Sequence, residues 1–133
     1  VSDAAKPVGS RDGMNRTVDT SELYKSWPEQ ANADLDVIRR AIEVRDFSTL
    51  GAAAERNALA MHATMIATRP PVGYWLPDSL GLMRRVWDLR DAGLTLYFTM
   101  DAGPNLKLLF PAADLEAVES AFPGCEVIAP FDG

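Results

Sequence analysis

The sequence has few of the residues that build disulfides, metal sites or membrane spans. Its single cysteine, Cys125, cannot form a disulfide within the chain, and its single histidine, His62, has no second histidine or cysteine cluster to join at a metal. No apolar run approaches the roughly 20 residues that span a bilayer, and no signal-peptide pattern is present. We therefore expect no metal site, no membrane partner, and a reducing, cytoplasmic setting.

Phosphate-loop motifs and positive charges are also scarce. The patterns GxxxxGKS/T and GxGxxG are missing, as are paired CxxC and HExxH, so Walker-type, dinucleotide and zinc sites are not predicted. The 13 lysines and arginines are outnumbered by 19 acidic residues, which gives a net charge of -6 and a pI of about 4.7. This charge has the wrong sign for binding nucleic acid.

The residues that are present suffice for one folded domain. The chain has 133 residues, of which 47% are hydrophobic, and contains no internal repeat. It begins Val1-Ser2-Asp3 without an initiator methionine, and these residues resemble the end of a strand already under way. We therefore expect a fragment or an excised domain.

The hydrophobic periodicity predicts an α+β fold with helices packed on one face of a small, mostly antiparallel sheet. Residues 3–13 are predicted to form a loop. The predicted helices span residues 15–26, 29–45, 47–68, 77–92 and 112–122. The predicted strands span residues 94–100, 106–110 and 125–129. The first two strands are close enough in sequence to pair as a hairpin.

Particular residues predict where the helices begin and end and which sides they bury. Pro28 and Pro77 favour helix starts, Asp46 an N-cap, and Gly93 a C-terminal cap. In the helix over 29–45, Asp34 is expected to point away from the apolar face. The residues of that face recur at helical spacing and are Ala31, Leu35, Ile38 and Ile42.

Two polar loops are the candidates for chemistry. In residues 8–14, a serine hydroxyl (Ser10) and an arginine fork (Arg11) could hold an anion, or the loop is simply solvated. In residues 101–105, an apolar strand delivers Asp101 into a glycine-proline turn. Asp, Gly, Pro and Asn all favour turns for local reasons, so a plain turn is the alternative there.

The second loop carries a family resemblance. The string Phe98-Thr99-Met100-Asp101-Ala102-Gly103-Pro104-Asn105 resembles the aspartate loop of diphosphomevalonate decarboxylases, which belong to a superfamily with galactokinase, homoserine kinase and mevalonate kinase. Further matches follow in the family's order and comprise residues 9–14, Asn57, His62-Ala63, Arg69-Pro70-Pro71 and Tyr74. The resemblance is strong to about Phe110. The chain departs from it at Gly9, where many members carry serine, and at Pro28, where the family's helix usually continues.

The resemblance implies roles for six residues. Asp101 would orient or deprotonate the C3 hydroxyl of mevalonate 5-diphosphate, and Ser10 and Arg11 would bind its diphosphate. Met14 would line the pocket or pack in the core. Ala102 and Gly103 would allow a close approach of the backbone to the substrate. His62 and Asn57 are instead expected to satisfy hydrogen bonds in the core.

The resemblance also implies a domain organisation and partners. Residues 1–133 would form a single carboxy-terminal domain, whereas ATP and Mg²⁺ would be bound mainly by an amino-terminal domain that is absent from this chain. The isolated chain would then be inactive, and dimers, which are usual in the family, leave a homodimer open. Two rival interpretations are a phosphomevalonate decarboxylase or related kinase of the superfamily, and a free-standing ligand-binding regulatory module.

Overall fold

The computed structural model describes residues 1–130, which form helices packed against a two-stranded sheet. The α-helices are α1 (Ser10–Thr20), α2 (Trp27–Glu43), α3 (Phe47–Ile66), α4 (Pro77–Asp91) and α5 (Leu115–Ala121). Two 3-10 helices, Glu22–Ser26 and Ala112–Asp114, precede α2 and α5. The strands β1 (Tyr97–Thr99) and β2 (Lys107–Leu109) pair antiparallel, with Phe98 opposite Leu108. The predicted α+β class and the hairpin are confirmed, although each strand is shorter than predicted.

The main core lies where α3, α4 and α5 meet one side of β1. Leu96, Phe98 and Met100 alternate inward, as their spacing of two predicts. The buried members of this core are Ala58, Met83, Val86, Leu96, Phe98, Met100, Val118 and Phe122. A second, smaller apolar cluster contains Met65, Val72 and Tyr74. It lies beside the start of α1 and the loop that follows β1.

The predicted starts of α3 and α4 are confirmed, although α3 ends at Ile66 rather than at the predicted Thr68. The Asp46 carboxylate accepts a hydrogen bond from the Thr49 amide at 3.0 Å, so it caps α3. Pro77 is the first residue of α4, and Gly93, with φ of 106°, follows its end. Among residues 1–130, no helix combines the length and the apolar character needed to cross a membrane.

The predicted inner face of α2 is wrong in part, because Ala31 and Ile38 are half-buried but the other two residues of the face are exposed. Asp34 is fully buried, whereas Leu35 and Ile42 are 42% and 59% exposed. The Asp34 carboxylate accepts hydrogen bonds from Arg56 on α3, with Nε at 2.9 Å. A buried carboxylate is stable only when it is paired, and this pairing turns the Asp34 side of α2 toward α3.

The start of α1 also differs from the prediction. The helix begins at Ser10 rather than near Asn15, and the Gly13 amide donates to the Gly9 carbonyl at 2.9 Å. Gly13 is buried, and a Cβ atom at this position would lie 2.6 Å from the Tyr74 hydroxyl oxygen. The glycines suggest a loop from sequence alone. Gly13 instead lies within the helix, where the lack of a side chain leaves room for Tyr74 to pack closely.

The predicted strand over 125–129 is wrong. These residues have no regular secondary structure, and Ile128 is 76% exposed. Within residues 1–130, the sheet has β1 and β2 as its strands, so this apolar run is not hydrogen-bonded into it. A short apolar run forms a strand only where a neighbour satisfies its backbone hydrogen bonds.

Candidate functional site

Asp101 lies where the buried strand gives way to an exposed loop. Met100 is 6% exposed, whereas the Asp101 side chain is 65% exposed. Lys107, at the start of β2, places its Nζ 3.5 Å from Asp101 Oδ2. The hairpin thus presents a carboxylate and an ammonium group side by side at the same end of the sheet.

The backbone of the Asp101 loop is anchored from several sides. The Asp101 carbonyl oxygen lies 2.8 Å from His62 Nε2 and accepts a hydrogen bond from the Gly103 amide at 2.9 Å. The Ser79 hydroxyl donates to the Pro104 carbonyl at 2.7 Å. The loop backbone is therefore held in place, while the carboxylate of Asp101 faces solvent.

Gly103 occupies a crowded position in this loop. It is buried, and a Cβ atom there would lie 3.2 Å from Asp101 Oδ1 and 3.3 Å from Lys6 Cε. The lack of a side chain lets Lys6 approach the loop. The Lys6 Nζ atom also donates a hydrogen bond to the Ser10 hydroxyl at 3.2 Å. Lys6 therefore links the Asp101 loop with the first residue of α1.

The first turn of α1 carries the other predicted site residues. Ser10 and Arg11 are both exposed, and no side chain of residues 1–130 caps the helix at Gly9. The Tyr74 hydroxyl donates to the Val8 carbonyl at 3.0 Å, which secures the chain just before this turn. The amide groups of the first helical turn, a hydroxyl and a guanidinium are thus available to an anion.

The structure brings most of the predicted residues together. Met14 and Ala102 pack against the same cluster of Met65, Val72 and Tyr74, so α1 and the Asp101 loop share an apolar floor. A cleft of about 340 Å³ lies beside the Asp101 loop. Its lining residues are Ser2, Asp3, Ala4, Lys6, Asp101, Gly103, Pro104, Asn105 and Lys107. Neither Ser10 nor Arg11 lines this cleft, but Ser10 contacts one of its lining residues, Lys6.

The two lysines of the site were not predicted from the sequence. Lys6 precedes the anion loop by a few residues, and Lys107 follows the aspartate loop at the start of a strand. Their charge, next to the two polar loops that were the candidates for chemistry, was the available signal. Lysine is a common phosphate ligand because its ammonium group acts as a mobile point charge.

The expectation that His62 and Asn57 satisfy core hydrogen bonds is confirmed. The Asn57 amide donates to the buried Asp34 carboxylate at 3.3 Å. His62 is 1% exposed and bonds to the Asp101 carbonyl. Burial lowers the pKa of His62, and it raises the pKa of the Tyr74 hydroxyl. Both groups are therefore neutral near pH 7.

Among residues 1–130, no group of three or more histidine, cysteine, aspartate or glutamate side chains is arranged to hold a metal ion. The cleft is lined by two lysines and by two carboxylates, Asp101 and Asp3, so its formal charges balance, and the lysines are the groups that could hold an anion. By themselves these residues do not fit a magnesium site, which requires several oxygen ligands.

The fold and the site define an α+β domain that presents a carboxylate and two lysines beside a helix start. A family model described as mevalonate 5-diphosphate decarboxylase C-terminal domain matches residues 1–127, and the chain belongs to this family. The resemblance found in the sequence is thereby confirmed.

Individual relatives agree with the family match. Over 121 residues the chain is 34% identical to diphosphomevalonate decarboxylase mvd1 of Aspergillus fumigatus, which covers 89% of this chain and 30% of that relative. It is 45% identical to a solved structure of mevalonate diphosphate decarboxylase from Enterococcus faecalis, with a TM-score of 0.82, covering 85% of this chain and 35% of that one. A structure described as MDDEF in complex with MVAPP, AMPPCP and magnesium is also 45% identical, with a TM-score of 0.86, covering 91% and 37%. The chain thus spans about a third of the length of these relatives.

Proposed function

We propose that this chain is the carboxy-terminal, substrate-binding domain of an ATP-dependent decarboxylase that converts mevalonate 5-diphosphate into isopentenyl diphosphate. The observation that carries the proposal is the exposed Asp101 carboxylate, held on an anchored backbone beside Lys6 and Lys107, in a chain of the decarboxylase family. A positioned carboxylate of this kind is suited to accept a proton from a hydroxyl group.

Asp101 acts at the first chemical step of the proposed reaction. Its carboxylate accepts a hydrogen bond, and then the proton, from the C3 hydroxyl of the substrate, whose oxygen attacks the γ-phosphorus of ATP and releases ADP. The phosphorylated intermediate then loses the phosphate from C3 as the bond between C1 and C2 breaks. The electrons of that bond form the double bond between C2 and C3, so the products are carbon dioxide, phosphate and isopentenyl diphosphate. Phosphoryl transfer depends mainly on positioning and charge stabilisation, which an anchored loop supplies.

The start of α1 is the proposed binding site of the substrate diphosphate. The Ser10 hydroxyl and the Arg11 guanidinium supply donors, and Lys6, which contacts Ser10, adds a positive charge between this site and Asp101. Met14 and Ala102, which pack in one cluster below, would contact the carbon chain of the substrate. Gly103 would allow the substrate to approach the loop backbone closely.

ATP and Mg²⁺ are proposed to bind mainly to a separate amino-terminal domain of the same protein, with residues 1–133 forming one domain. The sequence supports this division, since it contains neither the GxxxxGKS/T nor the GxGxxG pattern. Calorimetry of ATP with this chain alone should show no binding in the micromolar range. Micromolar affinity would contradict the two-domain division.

A homodimer stays a prediction, which light scattering of the full-length protein would test.

The proposed activity is tested by turnover of the full-length protein with ATP and either mevalonate 5-diphosphate or mevalonate 5-phosphate. We expect ADP, phosphate, carbon dioxide and isopentenyl diphosphate in equal amounts from the diphosphate. Preference for the monophosphate would identify a phosphomevalonate decarboxylase. Transfer of phosphate without loss of carbon dioxide would identify a kinase, and the lack of both reactions would favour a regulatory ligand-binding module.

A further inference from the structure

His62 occupies a buried position directly beneath the Asp101 loop. It lies on α3 and is 1% exposed, and its Nε2 atom is 2.8 Å from the Asp101 carbonyl oxygen. It does not face the cleft, whose lining does not include it. Its contact with the site is therefore to the backbone of the loop rather than to a bound ligand.

The chemistry of this contact determines the protonation of the ring. A carbonyl oxygen only accepts hydrogen bonds, so Nε2 must carry the hydrogen atom and donate it. Burial lowers the pKa of His62, which favours the neutral ring. The structure thus places a hydrogen on Nε2, and burial favours the neutral form of the ring.

Two aromatic rings fix the orientation of the imidazole. The Trp75 ring lies 5.2 Å from it, centroid to centroid, at an angle of 30°. The Tyr74 ring meets it edge to face, at 6.4 Å and 86°. The Tyr74 hydroxyl in turn donates to the Val8 carbonyl at 3.0 Å, just before α1. His62 therefore belongs to a packed unit that contacts both the Asp101 loop and the segment just before α1.

The Asp101 carboxylate itself has weak restraints. Its ion pair with Lys107 is 3.5 Å long, and both side chains are 65% exposed. Such exposed pairs contribute little, about 0 to 1 kcal/mol. The direction of the carboxylate thus depends chiefly on the backbone of Asp101, and this backbone is bonded to His62.

We propose that His62 is a positioning residue, whose Nε2–H bond to the Asp101 carbonyl fixes the catalytic carboxylate relative to the anion-binding start of α1. This inference rests on the proposed function. It assigns His62 no contact with the substrate or with ATP. Its effect on the rate passes through Asp101, because displacement of a reacting group by about 1 Å can lower a rate by about 100-fold.

Two variants of the full-length protein test the inference. His62→Gln keeps an N–H donor near the position of Nε2, whereas His62→Met is similar in length and has none. We expect His62→Met to lower kcat by about 10- to 100-fold, with KM for mevalonate 5-diphosphate within about threefold of the parent. His62→Gln should recover most of kcat. Equal losses in the two variants, or a change confined to KM, would overturn the inference.

A double substitution separates positioning from general damage to the fold. If His62 acts through the carboxylate, His62→Met should lower kcat much less in the Asp101→Asn background than in the parent. Multiplicative losses in the double variant would mean that His62 acts independently of Asp101. That result would contradict the proposal.

A spectroscopic measurement distinguishes failure of this inference from failure of the proposed function. In the full-length protein, the imidazole ¹⁵N signals that disappear in His62→Gln belong to His62. We expect them to show the neutral form with hydrogen on Nε2. A charged ring or the Nδ1–H form would overturn the inference even if the enzyme is active, and these signals decide the question if His62→Met fails to fold. If mevalonate 5-diphosphate is not turned over but the Nε2–H form is found, the proposed function fails while the bond to the loop stands.

Discussion

Replacement of Asp101 by asparagine removes one negative charge and leaves the loop that carries it unchanged. The bonds to His62 and Gly103 are made by the Asp101 carbonyl, which the substitution does not alter. The lost ion pair with Lys107 is 3.5 Å long and exposed. We therefore expect the free energy of unfolding to stay within about 1 kcal/mol of the parent.

The expected effect of Asp101→Asn on the rate is large. Asparagine keeps the shape of the side chain but cannot take the proton of the C3 hydroxyl. A positioned acid-base group contributes about 10²- to 10⁴-fold, so kcat should fall by that factor. This corresponds to about 2.7 to 5.4 kcal/mol in the activation barrier. KM should change little, because the diphosphate contacts proposed for Ser10 and Arg11 remain.

The assay is steady-state turnover of the full-length protein with ATP and mevalonate 5-diphosphate, with thermal unfolding measured on the same samples. Asp36→Asn is a matched control, since Asp36 is an α2 carboxylate, 79% exposed, with a comparably weak ion pair to Arg39 at 3.8 Å. The control should keep kcat within about twofold, as for an isolated surface charge. Turnover of Asp101→Asn within a few-fold of a well-folded parent would make Asp101 an ordinary turn residue and refute the catalytic assignment.

Three further predictions concern binding, packing and pH. In the full-length enzyme, Arg11→Ala should raise KM for the diphosphate through loss of a charge-assisted hydrogen bond of roughly 1.5 to 3 kcal/mol; unchanged kinetics would place Arg11 on the solvated surface. Gly13→Ala should destabilise the fold by about 1 to 3 kcal/mol, because the new Cβ would lie 2.6 Å from the Tyr74 hydroxyl oxygen. The control Gly81→Ala, in α4 with open space around it, should stabilise the fold by about 0.4 to 1 kcal/mol, and denaturant unfolding compares the two. Burial lowers the pKa of His62, so the unfolded chain takes up this proton first as the pH falls. Its contribution to stability should be fully present above about pH 6.5 and be lost as the pH falls from there through the folded-state pKa, by up to about 1.4 kcal/mol per pH unit. A slope between pH 6.5 and 5 that is unchanged in His62→Gln would contradict this assignment.

The sequence alone determined the features that depend on residues close to one another along the chain. The spacing of two placed Leu96, Phe98 and Met100 on one buried side, and Asp46 capped α3 as its side chain predicts. These signals are readable because strand alternation and helix capping are set by residues within a few positions of one another. The string over 98–105 also sufficed to identify the family, which the match over residues 1–127 confirms.

Short apolar and glycine-rich runs were the least predictable part of the fold. The run over 125–129 has strand-like residues, yet no neighbouring strand among residues 1–130 satisfies its backbone. The glycine-rich sequence around Gly13 favours a loop, yet Gly13 lies in α1. In both cases the local preference is weak, and contacts made elsewhere in the chain decide the outcome.

Only the tertiary structure decided which residues from distant parts of the chain meet. Asp34 is turned inward by Arg56, 22 positions away, and His62 bonds to the Asp101 carbonyl, 39 positions away. Lys6 lies beside Gly103 because α1 and the Asp101 loop pack on the same apolar cluster of Met65, Val72 and Tyr74. Periodicity reports which side of an element is apolar, whereas a buried charge or a backbone anchor depends on the partner that packing brings to it.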